Sequence, residues 1–289
     1  MTRTAVLFTT HVINERVRAH FRKLRDELPP GYELILFYDE QRLSERAVKK
    51  LAGDAVLPHE NEGWKRFKRV GRFEHKIPGN EDGLLMNAMD RLPGYDWYWY
   101  IEYDMAFSGD WRTFFRAMAA SDADLLAINM IRHDDCPDWP LWKSLEIPAD
   151  HQLPPDKWIR AHFAISRFSS RINAVLVPVY KQGWSGHAEA LLATLADQEG
   201  MRIEDIGGDG EFVRPGNVNR FYRSTPTSNS LGPGTLVFRP AMDQPGDEPD
   251  MLWHPVKKAS RHDWDSEEPA LLSLARRIWR RLSTIAAGR

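Results

Sequence analysis

The 289-residue chain has a single cysteine, Cys136. One thiol cannot form an internal disulfide, so a reducing, cytoplasmic setting is expected. The flanks of Cys136 are acidic (Asp134, Asp135 and Asp138), which argues against an activated thiolate nucleophile. Charge of one sign is missing too. Lys and Arg number 39 against 41 Asp and Glu, a formal net of −2. A general nucleic-acid binder needs a basic footprint, so the balance argues against that class while leaving room for a local basic patch. Long apolar runs are absent. Nothing approaches the ~20 residues that cross a bilayer, and Ala5 to Phe8 is too short for a signal peptide. No internal repeat is present. The turn after that first apolar run, Thr9 to Asn14, contains no glycine, unlike a Gly-rich phosphate loop.

What the chain does have is the balance of an ordinary globular protein, 42% hydrophobic and 28% charged, with enough length to bury a core. Tryptophan is abundant, with 11 copies, which suits a core and equally a cleft that stacks sugars or bases.

Ala5 to Thr10 reads as a buried strand. Val17, Phe21, Leu24 and Leu28 then recur at helical spacing up to Pro29-Pro30-Gly31. Tyr32 to Tyr38 is a second strand, ending at Asp39. Strand, helix and strand in about 35 residues predict a βαβ unit and a parallel sheet. Short elements follow at Arg46 to Leu51 and Ala55 to Pro58, then a helix from Asp82 to Arg91. Tyr95 to Asp104 is an aromatic run suited to a central strand buried on both faces. Asp110 caps a helix reaching Ser121, and Asp124 to Met130 is a further strand. Arg132 to Lys157 is loop-like. Phe163 to Phe168 leads into a helix through about Tyr180, and another helix spans Gly186 to Glu199.

Open α/β sheets bind ligands at the carboxyl ends of their strands. Asp39 and the pair Glu102 and Asp104 lie at such ends. Residues two apart at a strand end leave on one side, so this pair can grip a hard divalent cation. The bland alternative is an ordinary capping or surface acid. Burial next to an apolar strand favours the cation, because an unpaired buried carboxylate is costly.

The run Tyr98-Trp99-Tyr100-Ile101-Glu102-Tyr103-Asp104 resembles the D-x-D strand of GT-A glycosyltransferases, nucleotide-sugar enzymes with a Rossmann-like fold. Ala5 to Thr10 resembles their nucleotide-facing first strand, Phe37-Tyr38-Asp39 their second, and His254 in Trp253-His254-Pro255 the late histidine of the metal site. The likeness spans about residues 4–258 and departs in having Glu for the first acid. It implies an α/β, mostly parallel sheet flanked by helices, and a metal-dependent transfer of sugar from a nucleotide-sugar donor to a glycan or lipid-linked acceptor. Asp104 and His254 would hold Mn²⁺ or Mg²⁺. Thr9, Asp39, Glu102 and Lys257 would serve the donor. Glu189, early in a helix after the glycine-bearing Trp184 loop, would be the acceptor-side base, with Asp205 and Asp209 as alternates. A helix start is expected to lower the pKa of Glu189, and Trp184 to offer a stacking face. The alternatives are a sugar nucleotidyltransferase and a non-catalytic carbohydrate-binding protein.

Two basic segments complete the expectations. Lys65 to Lys76 either closes over a diphosphate or is a solvated face. Residues 259–289 form an extension to the 1–258 catalytic domain, with Leu271, Leu274, Ile278, Leu282 and Ile285 as an apolar helical stripe flanked by Arg276, Arg277, Arg280 and Arg281. Such a helix lies on the inner membrane surface or packs on its own domain.

Overall fold

The structure is a computed structural model that describes residues 2–60, 62–67, 79–225, 234–237 and 240–258. The extension 259–289 and the basic positions 68–76 lie outside the described residues.

Strand β1 (Thr4–Thr10) is buried along its whole length and feeds α1 (Glu15–Glu27). The Asn14 side chain caps that helix by accepting the Val17 N–H at 2.9 Å. Val17, Phe21 and Leu24 then face the sheet. Strand β2 (Tyr32–Tyr38) returns parallel to β1, and α2 (Glu45–Ala52) leads to the short β3 (Val56–Pro58). After α3 (Glu81–Arg91) comes β4 (Trp97–Glu102), parallel to β1 on its other side. Tyr98 and Tyr100 of β4 enter one core, and Trp99 and Ile101 the opposite one. The aromatic run is thus a central strand wrapped on both faces, as its composition predicts.

The remaining elements are β5 (Ala106–Phe107), α4 (Trp111–Met118), β6 (Leu125–Arg132), β7 (Ile159–Ser169), α5 (Ile172–Lys181), α6 (Ala188–Gln198), β8 (Ile203–Asp205) and β9 (Leu252–Trp253). The main sheet runs β3-β2-β1-β4-β7-β6-β8. Among the described strands of this sheet, only β7 is antiparallel to its neighbours. The architecture is α/β and Rossmann-like, with α3, α5 and α6 on one face and α1 and α4 on the other.

Strand β7 departs from the sequence pattern, which leads Phe163 to Phe168 straight into a helix. The structure has an 11-residue strand there. Its alternation is hidden because β6 and β7 slip past each other at two bulges: Leu126 faces Arg167, Ile128 faces His162 and Ile131 faces Arg160. Asn129, beside one bulge, has φ of 53°, a backbone region that asparagine enters more readily than most residues. Being antiparallel, β7 begins at the edge where its parallel neighbours end. That edge therefore collects Asp39, Glu102, Arg160 and His162. Finally, β9 pairs antiparallel with β5, and the Val256 N–H donates to the Asp104 carbonyl at 2.7 Å. These two contacts carry the late Trp253-His254 segment to the end of β4.

Candidate functional site

Beyond Glu102 the chain turns at once. The Tyr103 N–H donates to the Thr9 carbonyl and the Met105 N–H to the Glu102 carbonyl, both at 3.0 Å. The turn sends Glu102 and Asp104 toward His254. Asp104 is 3% exposed and His254 5%. His254 Nε2 lies 3.4 Å from Glu102 Oε2 and 3.7 Å from Asp104 Oδ1. Its Nδ1 is 2.9 Å from the Val237 carbonyl. Donation of Nδ1–H to that carbonyl orients the ring and points Nε2 at the acids, the orientation a metal-ligating histidine adopts. Burial pushes the His254 pKa down, but the hydrogen bond to Glu102 and the Asp104 charge outweigh it, and the net shift is upward. Ligand atoms of all three residues lie within 4.8 Å of one another.

Asp104 Oδ1 is buried with no hydrogen-bond partner among the described residues. Its other oxygen accepts from Lys257 Nζ at 2.9 Å. An orphaned carboxylate oxygen facing an imidazole nitrogen and a second acid is the arrangement a hard cation satisfies. The donor set therefore fits a divalent metal ion.

A second polar cluster adjoins this triad. His162 on β7 packs its ring 5.1 Å from that of His254. Its Nε2 is 3.8 Å from Glu189 Oε1. Burial, then the neighbouring His254 charge, hold His162 well below its ordinary pKa. Glu189 opens α6, where the His187 side chain accepts its N–H at 3.3 Å. Contrary to the helix-start expectation, the Glu189 pKa is raised to about 8. Burial is the largest cause, followed by the charges of Glu81 and Glu102. Glu81, at the start of α3, is likewise raised to about 8, mainly by burial. Its carboxylate accepts the Gly79 N–H.

The other sequence candidates are placed as follows. Thr9 is buried under the Glu102 turn, with its hydroxyl 3.0 Å from His59 Nε2. Asp39 lies at the same sheet edge, accepts the Gln41 N–H at 3.1 Å and sits 3.8 Å from Arg42 Nε. Trp184 is 5% exposed and belongs to the core, so it offers no stacking face. Asp209 is exposed and accepts the Ser224 hydroxyl at 2.7 Å.

Asp205 is buried and fully committed, accepting from the N–H groups of Met130 and Gly207 and from the Tyr222 hydroxyl. Tyr222 in turn accepts the Asn129 N–H at 2.8 Å. This pair braces the bulge that sets the course of β6. Tyr222→Phe should therefore cost about 1–3 kcal/mol of stability, the usual penalty for orphaning buried partners. Urea unfolding checks the cost, and an unchanged midpoint would show that the brace is idle.

Glu81, His162 and Arg160 were not visible as site residues in the sequence. Glu81 looks like an ordinary first-turn acid, and the other two sit in the strand whose period the bulges conceal. Cys136 is held away from thiolate chemistry by burial, and its thiol donates to the Arg132 carbonyl.

No family model matches the sequence, and no curated protein matches it. Among solved structures, the chain is similar to 4-diphosphocytidyl-2C-methyl-D-erythritol synthase from Anaerococcus prevotii, at 9% identity and a TM-score of 0.42, over 71% of this chain and 88% of that one. It is also similar to the galactosyltransferase LgtC in complex with donor and acceptor sugar analogues, at 9% identity and 0.40, over 75% and 74%. Mouse xyloside xylosyltransferase 1 follows at 11% and 0.32, over 70% and 76%. At such identities none of these carries a residue role over to this chain.

Proposed function

We propose that this chain is a divalent-cation-dependent glycosyltransferase, moving a sugar from a nucleotide-sugar donor to a glycan or lipid-linked acceptor. The convergence of Glu102, Asp104 and His254 at the carboxyl edge of the sheet, with Asp104 Oδ1 buried and unsatisfied, supports it most directly. Asp104 and His254 would hold Mn²⁺ or Mg²⁺, with Glu102 beside them on the donor side. Bound there, the cation would offset the negative charge that grows on a diphosphate leaving group.

The protein's own groups supply the rest. Lys257, at the partly exposed rim, presents an ammonium to a phosphate oxygen. Glu189 lies beside His162, whose ring packs against that of His254. In an inverting displacement the acceptor oxygen bonds to the anomeric carbon as the carbon–phosphate-oxygen bond breaks. The acceptor proton passes to Glu189. His162, kept neutral by burial, adds no positive charge of its own beside Glu189.

Thermal unfolding with UDP, GDP, CMP and their sugars, each with and without Mn²⁺, tests this. A nucleotide that raises Tm only in the presence of the cation is the expected result. No metal-dependent stabilisation by any nucleotide would defeat the proposal. Pyrophosphate release from a nucleoside triphosphate and a sugar 1-phosphate would point instead to a nucleotidyltransferase. Glycan binding indifferent to metal and nucleotide would indicate a non-catalytic binder.

A further inference from the structure

Strand β7 carries a third chemical group to the same edge. Arg160 and His162 are two residues apart on one strand, so they leave it on the same side, roughly 7 Å apart. The Arg160 Nε is buried without a hydrogen-bond partner among the described residues. No carboxylate among the described residues pairs with this guanidinium, although Glu189 is near enough to feel its charge. The contrast with other arginines is clear. Arg132 pairs with Glu211 at 2.8 Å, Arg214 with Glu204 at 2.7 Å, and Arg167 donates to three backbone carbonyls. A half-buried guanidinium without an anion is costly to keep.

Arg160 also lies beside an aromatic wall. Its guanidinium carbon is 5.7 Å from the centre of the Trp139 ring. Trp139 packs edge-on against buried Trp142, which in turn meets Trp158. The wall is pinned by its indoles: Trp142 Nε1 donates to the Cys136 carbonyl and Trp158 Nε1 to the Leu153 carbonyl. Trp139 itself is only half-buried. An indole in cation–π contact with a guanidinium that no described carboxylate pairs, near enough to Glu189 for the two charges to interact, matches a monosaccharide that carries an acidic group.

We infer that Trp139 and Arg160 form an acceptor subsite for an anionic sugar, the indole taking the ring and the guanidinium its carboxylate or phosphate. This rests on the transferase proposal only in calling the sugar the acceptor. The pairing is charge-assisted and can be bidentate, so it discriminates strongly against a neutral sugar.

Saturation-transfer NMR with methyl glucuronide, glucose 6-phosphate and methyl glucoside tests the subsite on the full chain. At least one anionic probe should bind roughly fivefold or more tightly than the glucoside, and the better of the two separates carboxylate from phosphate. Arg160→Gln should erase that preference. Arg160→Lys should keep part of it. Trp139→Ala should weaken all three probes. Each variant should retain the metal-dependent nucleotide shift in Tm, which also reports that it is folded. If the glucoside binds as well as the anions, or the preference survives Arg160→Gln, the subsite is overturned. Loss of the nucleotide shift in the wild type, with anionic binding intact, defeats the transferase proposal and leaves the sugar site standing.

Discussion

Asp104→Ala should abolish the metal-dependent Tm shift with nucleotide and lower sugar transfer by roughly 10³-fold or more, the scale expected when a catalytic cation is lost. The same change should do little to the protein without ligands. Its ion pair with Lys257 joins a buried carboxylate to a partly exposed ammonium, which can turn to solvent once the carboxylate is gone. Against that small loss stands relief of a buried oxygen that has no hydrogen-bond partner. Tm without metal should therefore hold or rise while function disappears. That opposition separates a ligand from a structural acid, because a structural acid would lose stability first. Calorimetry with and without Mn²⁺, beside a transfer assay, reads both halves. Retention of a full metal-dependent shift in the variant would remove Asp104 from the site.

Glu189→Gln should lower transfer by roughly 10²- to 10⁴-fold, the range for a lost general base, while hydrolysis of the donor by water persists. The substitution is nearly isosteric, so the helix start and its His187 cap are undisturbed. The pH profile gives a second test. A base must be ionised to accept a proton, and this carboxyl is raised to about 8. Wild-type transfer should climb as pH rises toward 8 and then level off, and the Gln variant should lose that limb. Linkage has the opposite sign. Between the ordinary 4.5 and about 8 the folded chain keeps a proton that the unfolded chain has released, so this group makes the fold less stable as pH rises through that window. Activity and stability should thus move in opposite directions with pH. Unchanged transfer by Glu189→Gln would eliminate it as the base.

The most legible parts of the chain were those whose chemistry is local. The aromatic run of β4 announces a doubly buried strand, and Glu102 and Asp104 follow at its end, where two-residue spacing puts both acids on one side. Asp110 marks a helix start because its side chain caps within two residues. His254 is recognisable only by likeness, since nothing near it in sequence says what it meets. The misses are tertiary. Glu189 shifts upward first through burial and then through the charges of Glu81 and Glu102, both distant in sequence, and no helix-start rule contains that information. Trp184 sits in a glycine-bearing loop yet is swallowed by the α3, α5 and α6 core. Strand β7 hides because its bulges break the two-residue period and because Arg160 and His162 make its beginning look polar.

The tie between Lys257 and Asp104 spans 153 residues. Ribosomes deliver a chain from its amino end, so the acids at the end of β4 emerge long before the imidazole and ammonium that offset them. Until then the end of β4 holds two carboxylates without the groups that face them. The cluster is complete only once β9 has docked on β5 and the chain that follows has brought Lys257 to Asp104.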